Sequence, residues 1–171
     1  AVKMLYKLGE DKSLSFLKDS LNIQSLVSPS KNSPDDQNAV SLALGQTLHG
    51  ITLRELVSAY SIFAQGNMSN SRSYYKVVGA DGNIIFDNRQ NQTRVISPES
   101  ASIMTKLLEG VVNEGTARGR VSLAKDVSVA GKTGTTQNNC DRLFVGYTPS
   151  LLGGVWCGYD YPEPINSALG N

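Results

Sequence analysis

Three strand-like runs crowd into the last third of the sequence: Asp126 to Thr136, Arg142 to Tyr147, and Leu151 to Tyr159, the last two joined through Thr148-Pro149-Ser150. Runs of this kind, rich in β-branched and aromatic residues and bounded by turn residues, read as strands. Their short connections suit hairpins, so residues 126–159 read as an antiparallel β-meander. Everything upstream is dominated by helical patterns, and helices followed by a meander make an α+β chain.

Two of those helices are well bounded. Thr52, with Glu55 three residues on, forms a capping box ahead of Leu53, Leu56, Val57, Tyr60, Phe63 and Ala64 on one face, and Gly66 stops the run. Ser97 as N-cap and Pro98 as first helical residue open a second, with Ala101, Met104, Leu107, Leu108, Val111 and Val112 on its buried face and Gly115 at its end. Residues 2–8 and 11–21 read as short surface helices interrupted at Gly9. Residues 22–38 turn polar and carry Pro29 and Pro34, a loop and not a domain boundary, because neither flank is large enough to bury a core alone. Tyr74 to Gly79 and Asn83 to Phe86 flank an Asp81-Gly82 turn signal and predict a surface hairpin. Residues 1–171 thus form part or all of one domain.

Sixteen Lys plus Arg against fifteen Asp plus Glu leave a net charge of +1, too balanced for the basic stripe that nucleic acid requires. No run approaches the roughly eighteen apolar residues that span a bilayer, and Lys3, Lys7 and Glu10 make the start unlike a signal peptide. The chain begins at Ala1 with its first Met at Met4, which predicts that an upstream piece is absent. No metal or cofactor is expected: two cysteines without C-x-x-C spacing and one histidine, His49, in a loop, supply no ligand set. A hairpin turning between Thr148 and Pro149 would set Cys140 opposite Cys157, within disulfide reach in an oxidising compartment.

Ala130-Gly131-Lys132-Thr133-Gly134-Thr135-Thr136 is hard to explain by packing alone. A phosphate loop would need a glycine where Asp126 stands and a helix where a polar loop follows, so that reading fails on context. As a strand, the segment places Thr133 and Thr135 on one face and Lys132 with Gly134 on the other. Such a strand can line a cleft, with two hydroxyls and an ammonium for a substrate carboxylate and a free backbone edge for an extended peptide. Taken locally, it can equally be an ordinary edge strand whose lysine guards against aggregation.

Lys132-Thr133-Gly134 matches the third motif of the penicillin-recognising serine transpeptidases and β-lactamases. Gly50 to Tyr60, Val95 to Ala101, Gly110 to Ala117, Asp141 to Pro149 and Gly154 to Asp160 resemble, segment by segment, the transpeptidase domain of class A penicillin-binding proteins. The resemblance covers nearly the whole chain. It implies a partial transpeptidase and serine β-lactamase-like fold, with helices packed on the last three strands of a five-stranded sheet, the first two being absent. It implies acyl transfer in which a serine attacks the penultimate D-Ala carbonyl of a stem peptide ending in D-Ala-D-Ala, releases the last D-Ala, and passes the acyl group to a neighbouring amine. Mapped by motif, Lys132 is the cation near the nucleophile, Thr133 and Thr135 bind the carboxylate, the Thr135 N–H is an oxyanion donor, and Gly134 is structural. β-Lactams are implied ligands. The implied setting is the outer face of a bacterial plasma membrane, with the anchor upstream. Leu143 departs from the resemblance, which has an aromatic residue there.

The nucleophile is a different matter. S-x-x-K occurs at Ser15–Lys18, Ser28–Lys31, Ser73–Lys76 and Ser122–Lys125, where twenty serines and nine lysines give about one match by chance. None sits at a rigid, buried helix start with its lysine facing a cleft. S-x-N occurs at Ser20-Leu21-Asn22 and Ser30-Lys31-Asn32, both in polar connections. The resemblance places both working motifs before Ala1, so this chain is expected to be the carboxyl-terminal part of the domain, inactive alone, needing its upstream half or self-associating through the exposed edge of its last strand. A D,D-carboxypeptidase or β-lactamase-type hydrolase, and a non-catalytic domain that binds a peptide or partner, are the alternatives.

Overall fold

Capping chemistry sets the two long helices of the computed structural model, which describes residues 1–89, 92–121 and 127–165. In α4 (Leu53–Gln65) the Thr52 hydroxyl accepts from the Glu55 N–H at 3.2 Å, and the Glu55 carboxylate accepts from the Thr52 N–H at 3.0 Å. Gly66 ends it in the left-handed conformation at φ 83°, which a side chain would resist. In α5 (Pro98–Asn113) the Ser97 hydroxyl accepts from the Ser100 N–H at 3.2 Å. That helix stops two residues before Gly115, and the N–H groups of Glu114 and Gly115 both turn back to the Gly110 carbonyl.

The amino-terminal part is less regular than its leucine spacing suggests. Helix α1 (Val2–Leu8) breaks at Gly9, and α2 (Glu10–Ser15) runs into a π-helical turn at Phe16–Ser20, where the Leu21 N–H reaches back five residues to the Phe16 carbonyl. Residues 22–38 form the expected loop, yet it is packed and not merely solvated. Ile23 and Leu26 join a core with Leu14, Leu21, Ala59, Ile62 and Met68. Asp36 is fully buried, its carboxylate accepting from the N–H groups of Val27 at 2.7 Å and Leu48 at 2.8 Å. A six-residue helix that periodicity does not reveal, α3 (Ala39–Leu44), follows an Asn38 side-chain cap.

β1 (Asn67–Met68) pairs with β4 (Thr93–Arg94), and between them β2 (Lys76–Val78) and β3 (Ile84–Asp87) make the expected exposed hairpin. The meander comprises β5 (Ala130–Thr135), β6 (Asp141–Tyr147) and β7 (Leu152–Gly158), antiparallel in that order. The first strand is shorter than its sequence run: Val127 to Val129 lie outside it, and Asp126 lies outside the described residues. α5 packs on β5 through a second core of Leu108, Ala130 and Tyr147. α4 meets β7 at Gly154, where a Cβ would stand 2.5 Å from Val57, so only glycine lets the helix this close. Helices therefore cover one face of a three-stranded antiparallel sheet, the α+β arrangement that the sequence implied.

The β6–β7 register corrects one expectation. Tyr147 pairs with Leu152 across a four-residue turn in which the Thr148 hydroxyl accepts from the N–H groups of Ser150 and Leu151. This turn is centred one residue later than Thr148-Pro149, so Cys157 faces Arg142 in place of Cys140, and both thiols are free. The outer strand β7 leaves Val155 58% and Trp156 42% exposed, in line with the apolar edge anticipated for it. The closing segment 166–171 lies outside the described residues.

Candidate active site

β5 is an edge strand: among the described residues it pairs with β6 alone. The register sets Lys132 opposite Val145 and Gly134 opposite Leu143 on the helix-covered face, with Thr133 and Thr135 on the other, as alternation requires. The Thr136 N–H donates to the Asp141 carbonyl at 3.1 Å. In an antiparallel ladder hydrogen-bonded pairs alternate, so the backbone N–H and C=O groups of Thr135 and Thr133 turn away from β6 to the open edge. A free N–H at Thr135 is an available anion donor.

Lys132 is exposed, and its Nζ donates to the Thr133 carbonyl at 2.7 Å, on that same open edge. Thr135 is exposed and Thr133 half-buried. The Thr133 hydroxyl lies 2.7 Å from that of Thr116, three residues beyond α5. Gly134 keeps the strand slim: a Cβ there would touch only Leu143, at 3.5 Å. Gly131 is confined differently, because its Cβ would lie 2.7 Å from the Phe144 ring and 2.9 Å from the Val145 carbonyl.

Charged groups near the strand are Lys132 on it, Arg142 opposite Thr135, Asp141 bonded to Thr136, and Glu109 on α5, the helix that packs on it. Hydrogen bonds from Ser128 at 2.5 Å and from Lys106 at 2.9 Å hold the Glu109 carboxyl below its ordinary range. Burial, and to a smaller extent the Glu109 charge, push the Tyr147 phenol up. Among the described residues no three His, Cys, Asp or Glu side chains converge as metal ligands. The described surface depressions, one between α4 and α5 and one near Asp11 and Gln37, are not lined by β5.

Among the described residues, no S-x-x-K pair makes a second half of this site. Ser15 is exposed at the end of α2, and Lys18 is engaged elsewhere, donating to the Leu26 carbonyl at 2.7 Å. Ser28 and Ser73 are exposed in irregular chain, and Ser122–Lys125 lies outside the described residues. Of the S-x-N matches, Asn22 bonds the Gln24 side chain and Ser30 closes a small bridge with Ser33. His49 is an exposed loop residue.

Residues 2–159 match the family model of the penicillin binding protein transpeptidase domain. The chain belongs to the penicillin-binding transpeptidase family. A penicillin-binding protein 1A of Clostridium novyi is 38% identical over 136 residues, which cover 78% of this chain and 16% of that protein. A penicillin-binding protein 1A of Neisseria cinerea is 36% identical over 136 residues, 76% of this chain and 16% of its own. The solved penicillin-binding protein PonA1 of Mycobacterium tuberculosis superposes with a TM-score of 0.67 at 30% identity, covering 84% of this chain and 40% of that one. Penicillin-binding protein A of the same organism, solved as an imipenem acyl-enzyme complex, shares the fold at a TM-score of 0.60 and 17% identity, over 88% of this chain and 37% of its own. This transpeptidase-family chain therefore spans about a sixth of the length of the curated relatives it matches. One residue beside its K-T-G strand escaped sequence reasoning. Thr116 lies within the family-like Gly110–Ala117 segment, but its contact with a hydroxyl seventeen residues on has no periodic signal.

Proposed function

We propose that this chain supplies the K-T-G wall of a peptidoglycan D,D-transpeptidase whose nucleophilic serine lies in an upstream half of the domain. The observation that carries the reading is the open edge of β5, where one rigid strand presents the Lys132 ammonium, the Thr133 and Thr135 hydroxyls and the outward Thr135 N–H together. A stem peptide ending in D-Ala-D-Ala is extended and carries a carboxylate, and it would lie along this edge as an added strand. Thr133 and Thr135 hold the carboxylate by charge-assisted hydrogen bonds.

The serine Oγ then bonds to the penultimate D-Ala carbonyl carbon and the carbonyl oxygen gains negative charge. The Thr135 N–H receives that oxyanion, a contribution worth about 3 kcal/mol where single donors have been removed from comparable sites. Collapse breaks the peptide bond, and the terminal D-Ala leaves with the proton taken from the serine. Lys132 holds the local potential positive, which favours the alkoxide-like forms along this path. An amine of a second stem peptide attacks the acyl-enzyme and restores the serine. β-Lactams enter the same site by the same chemistry. The upstream half also fills the apolar edge of β7, and an upstream anchor holds the protein at the outer face of the plasma membrane; among the described residues no helix is long and apolar enough to cross it.

The test is D-Ala release and cross-link formation by the full-length protein on lipid-linked donor and free acceptor stem peptides. Loss of both in Lys132→Ala, with thermal stability unchanged, is the expected result. D-Ala release without cross-links would instead identify a D,D-carboxypeptidase. Unaltered peptide processing in the variant would remove β5 from the chemistry.

A further inference from the structure

We infer that Thr116 is a positioning residue that aims the Thr133 hydroxyl at the carboxylate of the bound ligand. The inference rests on the assignment of β5 as the substrate wall and goes beyond it by adding a group outside the K-T-G strand. The two hydroxyl oxygens stand 2.7 Å apart, and either can donate. A threonine hydroxyl has one hydrogen and two lone pairs. When Thr133 gives its hydrogen to a carboxylate, it can still accept one, and Thr116 is the partner in place to give it. A relay from Thr116 to Thr133 to the ligand fixes the rotor and polarises the second bond, so each bond strengthens the other.

The backbone around Thr116 is held for this contact while its own side chain is not needed by the core. Gly115 packs so closely on the preceding turn that a Cβ would lie 2.9 Å from the Val111 Cα. Ala117 is 1% exposed, and its N–H donates to the Val111 carbonyl at 3.1 Å. Thr116, between these two anchors, is exposed. A residue gripped on both sides yet exposed has its side chain left for the one side-chain hydrogen bond it makes among the described residues, with Thr133.

The experiment measures the second-order rate of acylation of the full-length protein by benzylpenicillin and by its methyl ester, which lacks the carboxylate. Thr116→Val keeps the shape and removes the hydroxyl, Thr116→Ser restores it, and Thr116→Ala stands in if the valine lowers the melting temperature. The expected result is a loss of about three- to tenfold with benzylpenicillin in Thr116→Val, the scale of one hydrogen bond. Thr116→Ser recovers the rate, and parent and Thr116→Val react equally with the ester. Equal rates with benzylpenicillin in parent and Thr116→Val would overturn the inference alone. An equal loss on both ligands would also overturn it, since a merely structural role would slow both. A parent that forms no adduct would overturn the assignment of β5 and this inference with it.

Discussion

Trp156 donates its indole N–H to the Asp141 carboxylate at 2.8 Å, tying the outer strand of the meander to the first residue of β6. The other carboxylate oxygen accepts from the Thr136 hydroxyl at 2.8 Å, and that hydroxyl accepts from the Asp141 N–H at 2.9 Å. One side chain therefore pins the residue after Thr135 to two other strands. The K-T-G strand is braced by this knot as well as by its ladder, and the proposed substrate wall requires donors held in place to within a fraction of an ångström.

Asp141→Ala is accordingly expected to destabilise the protein by about 1 kcal/mol, because the indole N–H and the Thr136 hydroxyl exchange their acceptor for water at an exposed position. Benzylpenicillin acylation should slow as well, through a less defined Thr135. Denaturant unfolding of parent and variant checks the first part, and an unchanged midpoint would show that the knot bears no weight.

Two glycines three residues apart on the same strand should behave in opposite ways. Gly131→Ala drives a methyl group into the Phe144 ring and the Val145 carbonyl, contacts of 2.7 and 2.9 Å of which the second is backbone and cannot move aside. A loss of about 1–3 kcal/mol is expected from such overpacking. Gly134→Ala meets only ordinary contact at 3.5 Å, so its melting temperature should match the parent. If acylation by benzylpenicillin nevertheless falls in Gly134→Ala, the space is kept for the ligand; if Gly134→Ala unfolds early, the glycine serves the fold.

Acid should loosen the joint between α4 and the loop at residues 22–27. Partial burial pushes the Glu55 carboxyl up, but hydrogen bonds from Ser25 and Thr52 outweigh it and bring its pKa down from 4.5 to about 2. A carboxyl depressed by folding stabilises the folded state fully above its unfolded value, and the stabilisation is lost as the pH falls through the folded value. The loss should therefore run from about pH 4.5 to about pH 2. Glu55→Gln should be less stable than the parent at pH 7, and the two should converge near the acid end. Parallel stability curves across that range would refute the assignment.

Both thiols should be countable without reductant. Cys140 and Cys157 are free and sit out of register, so thiol titration of the denatured chain should find the same number of groups with and without prior reduction. A titre that rises on reduction would show that the β6–β7 turn takes the earlier register.

The sequence carried the parts of the fold that depend on local chemistry. Thr52 with Glu55, Ser97 with Pro98, and Gly66 mark helix ends because a cap needs only neighbours within one turn. The alternation of Lys132 and Gly134 against Thr133 and Thr135 was readable because a strand repeats every two residues. Pairings between distant residues were not. Asp36 reads as one more polar loop residue until Val27 and Leu48 deliver their N–H groups to it. The β6–β7 register hinged on whether Thr148 would cap a four-residue turn, and Thr116 met Thr133 only because Gly115 let the chain fold tightly back on α5. The candidate site was thus legible in its strand and not in the contacts that brace it.

The most direct test of the central claim is the intact mass of the full-length protein with and without benzylpenicillin, followed by peptide mapping of the adduct. Acylation joins the serine Oγ to the lactam carbonyl and opens the ring without losing an atom, so one penicilloyl mass increment is expected, mapping to a serine upstream of this chain. An adduct on Ser15 would contradict the placement of the nucleophile. A protein that stays unmodified would contradict the assignment of β5 as the wall of a penicillin-binding site.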